Sequence, residues 1–225
     1  MAREFTRNML VMFVSIMIGV GIITYFVADI MNRTKIETLT TQHVVEIEDI
    51  NSRNENFTNY YLQGSITMDS AREIREIGNY YFDFGLFWFN NALRILTNSS
   101  INQCIENCTL AMASYLQSNE KFGDSRPFFE QARTFTNNSR YLEVLGYYVG
   151  FSQAGKNITQ LRYTASKYLK EAAENLSAGD MGNFSMLLEN FNLTEDMYGE
   201  QVGGYNDYRD QIDQFLFFDS IREPH

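Results

Sequence analysis

Histidine, proline and cysteine each occur only twice in this chain, and each scarcity excludes something. His43 and His225 leave little from which to build a histidine metal site or a histidine general base. Pro127 and Pro224 leave long helices few interruptions. Cys104 and Cys108 cannot supply a disulfide framework, and with no histidine nearby in sequence they lack the remaining ligands of a metal site. A basic cluster is also missing, and 28 acidic against 18 basic residues give a net charge of −10, which disfavours nucleic acid as a partner. There is no Gly-x-Ser-x-Gly elbow, no phosphate-cradling loop, no His-Glu-x-x-His and no haem-attachment motif. Alternating β-branched runs bounded by Asn-Gly or Asp-Gly turns do not occur. An all-α, non-enzymatic protein is expected.

What the chain has in excess is the sequence Asn-x-Ser/Thr. Nine such sequons begin at Asn32, Asn56, Asn98, Asn107, Asn137, Asn157, Asn175, Asn183 and Asn192, where composition alone gives roughly three. A sequon is usable only where the glycosylating enzyme meets the chain, so this excess places residues 29–225 outside the cell or in a secretory lumen. N-linked glycans are the expected attachment, and no cofactor is expected. Dense sequons with few cysteines lean toward an archaeal-like surface.

An uncharged apolar run from Met9 to Val27 precedes all nine, long enough to cross the roughly 30 Å hydrocarbon layer as a helix. It is longer than the apolar part of a cleaved signal, and is read as an uncleaved signal anchor in the lipid bilayer. Within it, Ser15 and Gly19 form a small-xxx-small pair that would let a second helix approach closely. The expected order is a cytoplasmic tail (1–8), a transmembrane helix (9–28), a membrane-proximal helical stalk (29–66) and an extracellular helical domain (67–225). The spacing of Ile36, Leu39, Ile47 and Ile50 marks the stalk as helical.

The domain reads as a multi-helix bundle of irregular hairpins, with helices over 70–96, 101–120, 125–136, 139–154, 158–177, 182–190 and 195–218. Asp69 or Ser70 is expected to cap the first of these, and most junctions carry a sequon, which puts acceptor asparagines in loops. Seven of the ten residues from Tyr80 to Phe89 are aromatic. Tyr80, Tyr81, Phe84, Phe87, Trp88 and Phe89 are either the core of the bundle or a face that meets a partner. Phe215, Phe217 and Phe218 form a second such apolar patch, and both patches lie in sequon-free stretches. Cys104 and Cys108, four residues apart on one helical face, could form a strained disulfide or pack as two small residues. Asp207, Asp210 and Asp213 recur at three-residue steps, the pattern of a solvated face more than of a calcium loop.

These features together suggest an accessory or structural subunit of a larger membrane or cell-surface assembly, meeting other subunits or copies of itself. An alternative follows from the plan of a hydrophobic N-terminal helix ahead of a glycosylated outer domain, which resembles type IV pilins and implies a surface filament. The prepilin cleavage site of that family and its following glutamate are not present in recognisable form. A further alternative is the ligand-binding half of a split receptor.

Overall fold

The computed structural model describes the backbone of residues 2–215 and the side chains of residues 29–215. Among them the chain forms four helices and no strand: α1 (Ala2–Arg94), α2 (Asn98–Thr134), α3 (Ser139–Ala178) and α4 (Met181–Asp213). Two compact units divide it, Met1–Ser52 and Arg53–His225.

In the first unit, residues 30–52 of α1 expose every side chain and Asp29 is half-buried. Thr34, Thr38, Thr40 and Thr41 turn their hydroxyls back onto carbonyls four residues earlier, at 2.8–3.0 Å. Threonine within a helix commonly bonds back in this way. The apolar run 9–28, with Ser15 and Gly19, lies outside the residues whose side chains are described. Among those that are described, no helix is long and apolar enough to cross a membrane.

The second unit is an antiparallel four-helix bundle of residues 53–94 of α1 with α2, α3 and α4. Its seam from α1 to α2 pairs large with small in multiples of seven residues. The Phe129 ring lies over Gly64, the Tyr115 ring over Gly78 and the Cys108 Sγ over Gly85, each so close that a methyl group on the glycine would sit 2.8 Å from it. Buried residues follow the same steps, with Tyr61, Met68, Phe82 and Phe89 on α1 and Ile101, Cys108, Tyr115, Phe122 and Phe129 on α2. A sustained seven-residue repeat keeps one seam facing its partner along the whole helix. On the other side of α1, Phe82 stacks on Phe191 and Phe89 on Phe184 of α4, with ring centroids 6.3 and 6.2 Å apart.

Short loops close the bundle through local chemistry. Thr97 and Asn138 cap α2 and α3 by accepting from the amides of Ser100 and Arg140. Gly179, at φ 74°, ends α3 in the left-handed conformation, and Asp180 then accepts from the Asn183 amide to start α4. The helices also run through positions where the sequence suggested breaks. Asp69 and Ser70 are interior to α1, and α2, α3 and α4 each span what reads as two short helices. The reason is packing. Gly155 is not a stop but the place where the Phe122 ring enters α3, 2.5 Å from where a Cβ would be. Buried contact of this kind outweighs the roughly 1 kcal/mol by which glycine disfavours a helix. Inside α2, Pro127 lacks an N–H, yet the helix continues around it, with the Ser125 hydroxyl bonded to the Phe122 carbonyl and to Ser152 of α3.

Two apolar clusters fill the interior. One gathers Phe82, Phe89, Cys104, Cys108, Leu169, Phe184 and Phe191 toward the α1–α2 and α3–α4 loops. The other gathers Tyr61, Met68, Phe122, Phe129, Tyr148, Phe151 and Tyr205 toward the α2–α3 loop. Tyr61, which falls in the stalk of the sequence reading, is thus a core residue of the bundle, 1% exposed.

Candidate functional site

Between the clusters lies a polar layer. Arg162 of α3 is sandwiched by aromatic rings, with its guanidinium carbon 4.6 Å from the Phe82 centroid and 3.8 Å from that of Tyr198. One of its terminal nitrogens donates to both oxygens of Glu195, at 2.8 and 2.6 Å. Arg75 of α1 lies over the Tyr205 ring at 4.6 Å and donates to Glu76 at 2.6 Å. Their side chains are only 17% and 14% exposed. Nε of both and Nη1 of Arg75 have no hydrogen-bond partner among the described residues. Burial works against both charges, but Glu195 beside Arg162, and Tyr205 and Glu76 beside Arg75, more than restore them.

The layer also contains a phenol and a carboxylate whose ionisation is displaced in opposite directions. Burial raises the Tyr115 hydroxyl well above its usual range, and it donates to Asn79 Oδ1 at 2.8 Å. Burial also opposes ionisation of Glu76, but Arg75 and Asn79 hold its carboxyl below the ordinary glutamate range. A cleft of about 420 Å³ opens beside Arg75 between α1 and α4, lined also by Asp69, Arg72, Glu73, Glu76, Tyr205 and Arg209. Each arginine there has a carboxylate on its own helix: Arg72 with Asp69, Arg75 with Glu76, and Arg209 with Asp210. The cleft therefore offers no surplus positive charge to an anion.

Neither arginine stands out in the sequence reading. The signal that could have found Arg75 is its place in the series Tyr61, Met68, Arg75, Phe82, Phe89, where one cation interrupts a seven-residue run of large apolar side chains.

The residues that the sequence reading did single out fall in several places. Of the aromatic run, Phe82 and Phe89 are core, Tyr81 and Trp88 half-buried, and Tyr80, Phe84 and Phe87 exposed by 59%, 42% and 54%. The run is therefore both core and surface. Its exposed rings touch one another, with Tyr80 4.8 Å from Phe84 and Phe87 5.2 Å from Trp88. Phe215 packs at the foot of the bundle against Tyr147, under Arg140, whereas Phe217 and Phe218 lie outside the described residues.

Cys104 and Cys108 are two free, fully buried thiols with sulfurs 3.9 Å apart. That is nearly twice the length of a disulfide bond, because consecutive helical turns hold the sulfurs apart. Their mutual contact, followed by burial, pushes the Cys108 thiol far up, so it stays protonated and inert. Asp207, Asp210 and Asp213 are exposed on α4, and among the described residues no group of three or more His, Cys, Asp or Glu could hold a metal.

None of the nine sequon asparagines is buried. Their placement differs from the loops expected for them: only Asn137 is in a loop, Asn98 and Asn183 open helices, and the other six lie within helices on outward positions. A sequon does not interrupt a helix, because none of its three residues needs a non-helical backbone. In the sequon at Asn157, Ile158 and Thr159 are core residues.

The chain is thus an all-helical protein whose second unit is a four-helix bundle. No family model, curated protein or solved structure matches it.

Proposed function

We propose that the chain is a non-enzymatic, single-span N-glycosylated membrane protein that serves as an accessory or structural subunit of a membrane or cell-surface assembly. Residues 9–28 cross the lipid bilayer, the N-terminus is cytoplasmic, and residues 29–225 are extracellular or lumenal. The observation that carries the reading is the helix over residues 29–52. Eight large apolar side chains there, among them Ile36, Leu39, Ile47 and Ile50, are 46–68% exposed. Most helical stability in proteins comes from packing an apolar face against another element, so a partner subunit packs along these exposed side chains. One further feature supports the reading: all nine sequon asparagines lie off the core.

A long exposed N-terminal helix also fits the pilin-like filament, in which copies of this same helix pack together. Extraction in mild detergent, native mass analysis and sequencing of the mature N-terminus distinguish the two. A complex of fixed stoichiometry with an untrimmed N-terminus is expected. An open-ended homopolymer with a trimmed N-terminus passes the chain to the filament reading, and a strictly monomeric protein overturns both.

A further inference from the structure

The exposed aromatic patch of α1 has a neighbour that the sequence gap around it hides. No sequon lies between Asn56 and Asn98, yet Asn107 of α2 lies against Gly85 in the middle of the patch's stretch of α1. A methyl group placed on Gly85 would lie 3.8 Å from the Asn107 Cβ. One turn away from Gly85 on α1 are Tyr81 and Trp88, and Phe84 lies next to it on the outward side, the diamond of four residues into which a facing helix inserts a side chain. Asn107 is half-buried and Tyr81 and Trp88 are half-buried, while Phe84 is exposed.

The asparagine is also chemically ready. Its Nδ2 spends one N–H on the Gln103 carbonyl, at 2.7 Å. An N-glycosidic bond replaces the other hydrogen, so a sugar can be attached with that hydrogen bond kept. Thr109, the third residue of the sequon, is exposed with its hydroxyl bonded to Ile105.

We propose that the N-glycan on Asn107 folds over α1 and stacks on the Tyr81–Phe84–Trp88 patch. The C–H face of a pyranose carries partial positive charge and apolar area, and the aromatic face presents the negative side of its quadrupole, so the two attract while both lose water. The patch is then covered by this chain's own carbohydrate and not by a partner. The inference rests on the glycoprotein part of the function proposed above.

Trp88 is the only tryptophan in the chain, so its fluorescence reports this patch alone. The full chain made in a eukaryotic secretory host, whose chitobiose–mannose core is the probe, is compared with Thr109→Ala and Asn157→Gln. Thr109→Ala keeps Asn107 but removes the acceptor, and helical melting by circular dichroism verifies that each variant is folded. By intact mass each variant is expected to lose one glycan. Acrylamide quenching of Trp88 is expected to rise, and its emission to shift to the red, in Thr109→Ala only. Loss of the Asn107 glycan with Trp88 unchanged overturns the inference, as does an equal change in Asn157→Gln, or a bare Asn107 among other occupied sequons. A protein bare at all nine sequons overturns the glycoprotein reading itself.

Discussion

Residues 29–52 and residues 61–92 are both stretches of α1, and only the second buries side chains. The first carries Ile36, Leu39, Ile47 and Ile50, all 46–63% exposed. The second turns Gly64, Gly78 and Gly85 inward beneath the residues of α2. Hydrophobicity of the residue does not decide which is buried. What decides is whether a facing helix supplies a large side chain at the matching step, because a ring seated on a glycine loses its apolar surface to the backbone around it. The first stretch therefore exposes its apolar side chains, whereas the second buries Tyr61, Met68, Phe82 and Phe89 along with the glycines between them.

The contrast is broken most severely by removing a ring. Phe129 is fully buried over Gly64 and stacks 4.6 Å from Tyr148. Phe129→Ala is expected to cost about 3–5 kcal/mol of bundle stability in chemical denaturation. By the same measurement Ile47→Ala is expected to change the bundle by less than about 0.5 kcal/mol, since it removes an exposed side chain. Equal losses from the two would mean that residue 47 packs on the bundle.

Glycine substitutions sharpen the comparison with a change of sign. In Gly78→Ala the new methyl meets the Tyr115 ring at 2.8 Å. The overpacking costs about 1–3 kcal/mol, only partly offset by the roughly 1 kcal/mol gain in helix propensity, so the melting temperature falls. Gly203→Ala on α4 meets nothing within 4 Å and is expected to stabilise by about 0.5–1 kcal/mol. A gain at both positions would show that the seam is looser than the ring-on-glycine packing requires.

The smallest effect is on pH dependence. Burial acts against the Glu76 charge, but Arg75 and Asn79 override it and hold the folded carboxyl below its unfolded value. Its contribution to stability is therefore present above the ordinary glutamate range and is lost as pH falls through the lowered folded value. Glu76→Gln is expected to flatten that part of an acid-denaturation curve slightly, because the carboxylate is 62% exposed. A steeper acid limb in the variant would reverse the assignment.

The all-helical class was legible from the missing strand patterns and the scarcity of proline. Helix lengths were not, because the core positions that make α2 and α3 continuous are Cys104, Ala111, Ser118, Ser125, Ser152, Gly155 and Thr159. All are small, most of them are polar or glycine, and Gly155 reads as a break. With small residues at alternate seam positions, the apolar signal recurs every seven residues and not every three or four, which hides an amphipathic helix from a search at helical spacing. Exposure along residues 29–52 was hidden for the converse reason, since Ile36, Leu39, Ile47 and Ile50 carry a helical pattern with no sign of what they face. The aromatic sandwich around Arg162 and the ring over Arg75 were hidden because Tyr205, Tyr198 and Phe82 are brought to them only by the register of the bundle.

The account stands on a partner lying along residues 29–52, and photo-cross-linking tests that most directly. A light-activated side chain would replace Ile47 in protein held in its native membrane, and Glu73 on the exposed side of the bundle in a matched control. A single discrete adduct from position 47, absent from position 73, is the result expected. An unmodified monomer from position 47 would contradict the account.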